Sequence, residues 1–383
     1  MRHDYDPIGG HTNIEFDRID PHGKCCAKTL HRVLGKQATR APMALQAERR
    51  HDDRLGQSKP RRKQMDYTTL GRTGLRVSVA GLGCGGFSRL GLNAGLGEDH
   101  AVGIIRQAMD LGVNIIDTAS VYGTEEVVGR ALRGVPRDSV VICTKTSKPA
   151  SDKTFSVAKI LESLDGSLKR LGVDYVDVFQ LHAVPPAAYN HVREEIAPVL
   201  LREKEKGKFR FLGITETAPN DHEQLMLNRA TRDGIWDTAM LAFHLMDQVA
   251  RKQVFPHTLE HGIGTLMMFA VRSIFARPAQ LSDAVKELAA AGLVPAELAD
   301  RENPLDFLIH DGGASNVTDA AYRYVRHEPG VDVVLFGTGS AEHLRTNIES
   351  ILKPPLPDAD RARLASLFAH LRGVGLEVPP PRQ

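Results

Sequence analysis

Four residues with complementary acid-base chemistry stand at or just beyond the ends of predicted strands: Asp117, Tyr122, Lys145 and His182. Singly, each has an ordinary structural explanation, as a helix cap, a packed ring, a solvated strand end or a hydrogen-bonded core imidazole. Neighbouring strands of a sheet lie about 4.8 Å apart, so residues at the same end of consecutive strands can converge. All four together therefore favour a shared site over chance.

The combination is suited to proton transfer coupled to hydride transfer. A phenol has a pKa near 10, and an ammonium within a few ångströms is expected to lower it. A carboxylate beside the lysine holds that ammonium charged, and the tyrosine then exchanges its proton with a carbonyl oxygen near neutral pH. The imidazole can donate a hydrogen bond to the same oxygen as charge develops there. No His-x-His or His-Glu-x-x-His pattern accompanies these residues, so no metal is predicted.

The elements that must position these residues alternate between strand and helix. The predicted barrel strands are Val77–Gly83, Asn114–Ala119, Val140–Thr146, Val176–His182, Arg210–Thr215, Thr238–Phe243, Gly264–Ala270 and Val331–Thr338. The predicted helices are His100–Leu111, Thr124–Leu132, Val157–Leu171, His191–Lys206, Asp221–Arg232, Ala250–His261, Ala341–Leu352 and a final Asp358–Leu371. Eight such alternations in about 290 residues predict a closed (β/α)₈ TIM barrel.

Two additions to the barrel are predicted. A short N-terminal hairpin spans Thr68–Arg76, with Gly71 and Gly74 in its turn. A long helical insertion, Arg277–Gly330, separates strands seven and eight, and we expect it over the carboxyl-terminal face. Glycines cluster after the first strand, at Gly83–Gly86, but eight strand-helix alternations favour a closed barrel over an open dinucleotide-binding sheet, which more often has five to seven strands.

Residues 1–64 differ in character from the rest of the chain. They lack helical or strand periodicity and carry 14 Lys and Arg against 8 Asp and Glu, whereas residues 65–383 are mildly acidic. We predict a disordered leader, or a start codon placed too early with Met65 as the functional start, followed by a barrel domain over 65–383. The acids among its bases, and its scarce aromatics, argue against a nucleic-acid partner.

Cysteine usage and hydropathy indicate the cellular compartment of the protein. The four cysteines follow no disulfide pattern, and no zinc spacing surrounds the adjacent pair Cys25 and Cys26. No signal peptide or membrane-length apolar run is present. A cytoplasmic protein without a membrane partner is therefore expected.

The run from Thr69 to Ser78 resembles the opening of many aldo-keto reductases, and the four ionisable residues resemble that family's catalytic tetrad in order and spacing. The resemblance covers residues 65–352. It implies that Tyr122 is the general acid, that Lys145 and Asp117 tune it, and that His182 orients the substrate. It also implies an NAD(P)(H) coenzyme that lies across the barrel mouth without a Rossmann domain.

The same resemblance also implies which residues contact the coenzyme. The positions it implies are Gly83, Thr215, Phe243, Arg272, Gly337, Thr338, Ser340, His343 and Asn347. Phe243 is expected to stack on nicotinamide, and Arg272 to clamp phosphate. Thr215-Glu216 and Met240 depart from the family's usual Ser-Asn and Gln. The loop Gly337–Ser340 carries no Lys or Arg for a 2′-phosphate, which favours NAD or dual use and leaves the choice between NAD and NADP open.

The resulting prediction is an oxidoreductase that passes hydride between the nicotinamide of NAD(P)(H) and a small-molecule aldehyde or ketone, or a sugar alcohol or lactol. Substrate, direction and oligomeric state stay open. A nicotinamide-binding regulator without turnover is the main alternative, because the strand-five and strand-six anchors are altered. A metal-dependent barrel hydrolase is a third possibility with little support in the sequence.

Overall fold

A computed structural model describes residues 64–146 and 156–376. Ten strands lie in these ranges: β1 (Tyr67–Thr69), β2 (Arg76–Ser78), β3 (Ala80–Gly83), β4 (Ile115–Asp117), β5 (Val141–Lys145), β6 (Val176–Val184), β7 (Phe209–Glu216), β8 (Thr238–Ala242), β9 (Gly264–Met268) and β10 (Val333–Phe336). The predictions for the N-terminal leader fall outside the described residues, apart from Gln64.

Strands β3 to β10 form a closed parallel barrel in which each strand neighbours the next in sequence and β10 returns to β3. Ile116 pairs with both Leu82 and Ile142, which fixes the register of the first three strands. The sequence order of the strands is thus also their order around the barrel. The predicted (β/α)₈ TIM barrel is confirmed.

Helices connect the strands and cover the barrel. They are α1 (Glu98–Asp110), α2 (Glu125–Ala131), α3 (Val157–Leu171), α4 (Tyr189–His191), α5 (Ala197–Glu205), α6 (Leu225–Ala230), α7 (Ala250–Gln253), α8 (Phe255–His261), α9 (Ser273–Ala276), α10 (Pro278–Ala290), α11 (Ala296–Ala299), α12 (Val317–Arg326), α13 (Ala341–Ile351) and α14 (Asp358–Phe368). No helix in the described ranges is long and apolar enough to cross a bilayer.

Helical periodicity explains why α3 forms where it does. Ile160, Leu164 and Leu171 recur on one face and are buried, and Gly172 ends the helix in a left-handed conformation that glycine adopts without strain. Helix Ala250–His261 was predicted as continuous, but it is interrupted at Val254. Pro256 lacks the N–H that an unbroken helix would need there.

The insertion between strands seven and eight is helical, as predicted. It contains α10, α11, a 3₁₀ turn at Asp306–Leu308 and α12. Leu281, Val285 and Leu288 of α10 are buried in the main hydrophobic cluster, which fixes the helix to the body of the protein. Its placement over the active-site face stays a prediction.

The N-terminal hairpin is antiparallel, with Tyr67 opposite Ser78 and Thr69 opposite Arg76. Val77 was predicted in the first barrel strand but belongs to this hairpin, and the barrel strand begins at Ala80. Leu70 and Val77 pack with the barrel's interior side chains, so the hairpin closes one end of the barrel. The apolar run continues through both strands, which hid the boundary from the sequence.

Side chains alternate along the strands between the interior and the surrounding helices. Ile115, Cys143 and Val178 share an interior cluster with Leu266, whereas Ile116, Ile142 and Phe179 join the cluster beneath the helices. Since successive residues of a strand face opposite sides, residues two or four positions beyond an interior one also face inward. Asp117, Lys145 and His182 occupy such positions at the carboxyl ends of their strands.

The hairpin seal can be tested at Gly264, where an added Cβ would lie 2.7 Å from Leu70 Cγ. Gly264→Ala is expected to destabilise the fold by about 1–3 kcal/mol because Leu70 has to move. Gly103→Ala is the control: a Cβ there meets nothing within 4 Å, and alanine in a helix is expected to stabilise by roughly 0.5–1 kcal/mol. Urea unfolding of both variants checks this, and equal stabilities would contradict the predicted seal.

Candidate active site

A buried ion pair lies at the carboxyl end of the barrel interior. Lys145 Nζ donates to both Asp117 carboxylate oxygens at 2.7 Å and to the Thr118 carbonyl at 2.8 Å. The lysine side chain is 0% exposed and the aspartate side chain 6%. Gln180 Nε2 adds a longer contact of 3.4 Å to Asp117 Oδ1. Three consecutive strands thus combine to hold one ammonium in place.

The electrostatics of this pair follow from its burial. Burial alone would lower the pKa of Lys145, but the Asp117 carboxylate outweighs it and the pKa is raised above its usual value. Burial also raises the pKa of Asp117, and the lysine ammonium and the Gln180 amide oppose that rise. The short contacts to both oxygens keep Lys145 as a fixed positive charge.

Tyr122 ends a short 3₁₀ turn, Ser120–Tyr122, that follows β4. Its ring lies directly on Gly85, where an added Cβ would be 2.6 Å from the ring. Lys145 Nζ lies 5.1 Å from the ring centroid. The phenol is therefore held between the glycine backbone and the buried ammonium.

His182 comes to Tyr122 through an irregularity in β6. The pairing of β6 with β7 shifts between Leu181 and Val184, and Ala183 has a φ of 55°. A bulge of this kind re-aims the neighbouring side chain. His182 Nε2 lies 3.5 Å from Tyr122 Oη, with the two rings edge to face.

The pKa of Tyr122 differs from our expectation. Burial raises it above its usual value, and although the charge and hydrogen bond of Lys145 act in the opposite direction, the net shift is upward. The expected lowering toward neutral pH is wrong for this state, because desolvation of the phenolate outweighs the ammonium. Tyr122 is therefore a protonated phenol at neutral pH.

The loop after β10 packs tightly on the first strand-helix loop. A Cβ on Gly337 would meet the Gly83 carbonyl at 3.0 Å, and one on Gly339 would lie 2.5 Å from the Gly91 backbone. His100 Nε2 bonds the Gly339 carbonyl at 2.7 Å. Only glycines allow this approach, and it brings the amino end of α13 to the barrel mouth.

Four further residues that were predicted to contact the coenzyme lie just before α13 or within its first two turns. Ser340 caps the helix by accepting from the His343 N–H, and the Thr338 hydroxyl accepts from the Ser340 N–H. His343 is exposed, and Asn347 is half-buried one turn later. Their grouping at one helix N-terminus fits an anion site, and their contact with coenzyme stays a prediction.

Arg272 is committed to the C-terminal segment. Its Nε and Nη2 donate to the carbonyls of Gly375 and Leu376, at 3.2 and 3.1 Å, and its guanidinium stacks on Phe269 at 4.1 Å. Leu376 packs with Ala218 and with Ala242, at the end of β8. The segment that follows α14 therefore reaches the barrel rim, which sequence reasoning missed. In this structure Arg272 anchors that segment, so the predicted phosphate clamp requires it to exchange partners.

Phe243 is not at the mouth, and its predicted stacking on nicotinamide is wrong. The side chain is 0% exposed and stacks on Tyr324 at 5.8 Å, edge to face with Phe255 at 5.3 Å. Met240, three residues earlier, faces the barrel interior. Since successive residues alternate between the two sides, Phe243 faces outward and its ring lies beneath the helices. A shift of one residue along a strand changes the face.

The rim at β7 carries an unusual carboxyl group. Thr215 Oγ1 accepts from the Ala183 N–H at 2.7 Å and so supports the bulge beside His182. Glu216 Oε1 accepts from the Ala242 N–H at 2.5 Å and from Gln224 Nε2 at 3.3 Å, whereas its Oε2 is buried without a hydrogen-bond partner among the described residues. Burial raises the pKa of Glu216 well above its usual value. A carboxyl oxygen without a partner can accept a hydrogen bond from a bound ligand.

Two supporting residues were missed from the sequence. Gln180 lies two residues before His182 and so shares its inward face, a signal that strand parity could have supplied. Gly85 stands in a glycine-rich turn, Gly83–Gly86, in which nothing singles out the residue that the tyrosine ring covers.

With this geometry established, comparison with known proteins identifies the class. Residues 81–369 match the profile of the Aldo/keto reductase family. This match covers most of the chain and all four tetrad positions. The chain therefore belongs to the aldo/keto reductase family of oxidoreductases.

Individual relatives are moderately similar. The chain is 32% identical to L-galactose dehydrogenase of Arabidopsis thaliana over 210 residues, which span 53% of this chain and 64% of that enzyme. It is 28% identical to the aldo-keto reductase YhdN of Bacillus subtilis over 293 residues, 71% of this chain and 85% of that protein. The apo structure of aldo-keto reductase AKR11C1 from Bacillus halodurans superposes with a TM-score of 0.59 and 25% identity, covering 80% of this chain and 96% of its own.

The buried pair predicts an asymmetric response to mutation. Lys145→Met leaves the Asp117 carboxylate buried without its ammonium and is expected to destabilise the fold by about 3–5 kcal/mol. Adding Asp117→Asn removes the stranded charge and should recover part of that loss. Urea unfolding of both variants measures this.

Arg130→Met is the matched control, because its partners Glu98 and Asp99 are exposed and its loss should leave the unfolding midpoint nearly unchanged. If the double variant is less stable than Lys145→Met alone, the pair is not coupled as the geometry indicates.

Proposed function

We propose that this chain is an NAD(P)H-dependent enzyme that reduces the carbonyl group of a small aldehyde or ketone, or of the open-chain aldehyde form of a sugar lactol. The observation that carries the proposal is the convergence of Tyr122, Lys145, Asp117 and His182 at one end of the barrel interior. Each element of a proton-donating site is present: a protonated phenol, a fixed ammonium and an imidazole within 3.5 Å of the phenol oxygen.

Each residue of the tetrad has a separate role in the proposed reduction. When bound, the nicotinamide coenzyme supplies the hydride for the carbonyl carbon. Tyr122 Oη donates its proton to the carbonyl oxygen as charge develops there. Lys145 stabilises the phenolate that remains, and Asp117 holds that ammonium in position. His182 Nε2, beside the same phenol, orients the oxygen between them.

The protonation state of Tyr122 favours reduction as the working direction. With its pKa raised, Tyr122 carries its proton at neutral pH, which is the form that carbonyl reduction uses, whereas oxidation of an alcohol requires the phenolate as base. Sugar lactols are retained as substrates because one relative is named for L-galactose. A sugar lactol is in equilibrium with an open-chain aldehyde, and the carbonyl oxygen of that aldehyde is the atom that Tyr122 would protonate.

For the coenzyme, we place its phosphate groups at the loop Gly337–Ser340 and the amino end of α13. This helix begins at the mouth, and its first-turn N–H groups favour an anion. Gly83 faces the same loop, and Asn347 and His343 lie on the first turns of the helix. We also assign Glu216, whose Oε2 has no hydrogen-bond partner among the described residues, to bind the carboxamide of the nicotinamide.

Tyr122→Phe tests the proton donor. The variant is expected to lose about 10²- to 10⁴-fold in kcat and to keep its affinity for coenzyme, because the ring remains and only the proton is removed. Initial rates with NADH and NADPH against a panel of aldehydes, ketones and aldoses measure the loss, and fluorescence titration measures the binding. Tyr175→Phe, far from the tetrad, is the matched control. Coenzyme binding by the unmodified protein without turnover of any substrate would favour the regulator instead.

The pH profile tests the raised pKa of Tyr122. Because the acid form is active in reduction, kcat/KM for a carbonyl should stay flat from about pH 6 to 9 and fall only above the usual phenol value near 10. The rate of alcohol oxidation should rise with pH over the same range. A reduction rate that falls with a midpoint near pH 7 would show that Lys145 lowers the pKa after all.

A further inference from the structure

A cation in the first strand-helix loop has no role in the tetrad. Arg89 begins an irregular 3₁₀ segment, Arg89–Ala94, and its backbone has a φ of 41°. Leu90 follows with a φ of 60°. Non-glycine residues rarely adopt positive φ, and consecutive examples are concentrated at ligand sites, where the surrounding structure enforces them. The loop therefore holds Arg89 in one defined place at an energetic cost.

The Arg89 guanidinium has little to neutralise it. Its Nε is shielded from solvent and has no hydrogen-bond partner among the described residues. Its Nη1 makes one long contact of 3.5 Å to Asn93 Oδ1, which is a neutral amide. Glu98 and Asp99, the acids nearest in sequence, pair with Arg130 instead. A half-buried guanidinium with no carboxylate partner in the described part of the chain is available to bind an anion.

Arg89 lies beside the catalytic tyrosine. Its Nη2 is 2.6 Å from the position that a Cβ on Gly123 would occupy, and Gly123 directly follows Tyr122. The ring of Tyr122 rests on Gly85 of the same loop. The loop's contact with the proposed phosphate turn is made elsewhere, by Gly91 against Gly339. Arg89 therefore lies against the turn that carries Tyr122.

Two exposed apolar side chains belong to the turns that carry Arg89 and Tyr122. Phe87 is 57% exposed and Val121 is 47% exposed. Phe87 precedes Arg89 by two residues, and Val121 precedes Tyr122. An apolar rim with one fixed cation can bind a molecule that has a hydrophobic body and a negative end.

We propose that Arg89 is a specificity residue that binds an anionic group of the substrate, a carboxylate or a phosphate, while Tyr122 protonates its carbonyl. The planar guanidinium matches either anion with two parallel hydrogen bonds. The substrate class is then an aldehyde or ketone with a negative charge at the end remote from the reacting carbon. This inference rests on the proposed reductase function.

The test compares 4-carboxybenzaldehyde with its neutral methyl ester, at saturating coenzyme. The unmodified enzyme is expected to prefer the acid, and Arg89→Gln to lose that preference by about tenfold or more, mainly through KM for the acid. The ester should react at an unchanged rate, which a merely structural role would not allow. Arg89→Lys should restore part of the preference because it keeps the charge.

Arg133→Gln is the control, since Arg133 is exposed on the outer surface beside α2. Melting temperatures show that each variant is folded. Equal losses on both aldehydes, or no preference in the unmodified enzyme, would overturn the proposal. A raised KM for coenzyme with the preference intact would assign Arg89 to the coenzyme and also overturn it.

A failure of the proposed reductase function can be distinguished from a failure of the Arg89 subsite. If neither aldehyde reacts, calorimetric titration with 4-(hydroxymethyl)benzoate compares the unmodified protein with Arg89→Gln. Weaker binding by about tenfold in the variant would support the anion subsite although the reductase assignment had failed. Equal binding would reject the subsite as well.

Discussion

The buried contact between Lys145 and Asp117 is the constraint on which the site depends. Removing two charges from water costs several kcal/mol each, and the cost is offset only when the geometry is close and the remaining hydrogen bonds are made. Both carboxylate oxygens lie 2.7 Å from the ammonium, and a backbone carbonyl takes a third bond. The barrel provides these positions because its adjacent strands end at the same level. The charge pair therefore depends on the fold, and loss of one partner would leave the other charge buried without compensation.

Much of the fold and the tetrad could be predicted from the sequence, for reasons visible in particular residues. Alternation along a strand fixes which side chains face inward, so Asp117, Lys145 and His182 share a face with interior apolar residues of their own strands. The strand order follows from the short parallel connections. Helix α3 matches its prediction to the residue, because an apolar stripe precedes a left-handed Gly172.

The remainder depends on geometry that alternation does not encode. Phe243 was assigned to the mouth, but it lies one residue past the inward position and so faces the helices. The pKa of Tyr122 was expected to fall, but the depth of the ring is a property of the packing on Gly85. The bulge at Ala183 and the partners of Arg272 depend on contacts across 32 and more than 100 residues of sequence. Local patterns cannot report such distances.

The hairpin at the amino-terminal end of the barrel has a consequence for where ligands can bind. Leu70 and Val77 cover that end of the barrel, and inward side chains of the strands fill the interior behind them, so the opposite rim is the end left for ligands. A dinucleotide that crossed this rim would share it with the smaller reactant. The molecule that lay deeper would then have to bind first and leave last.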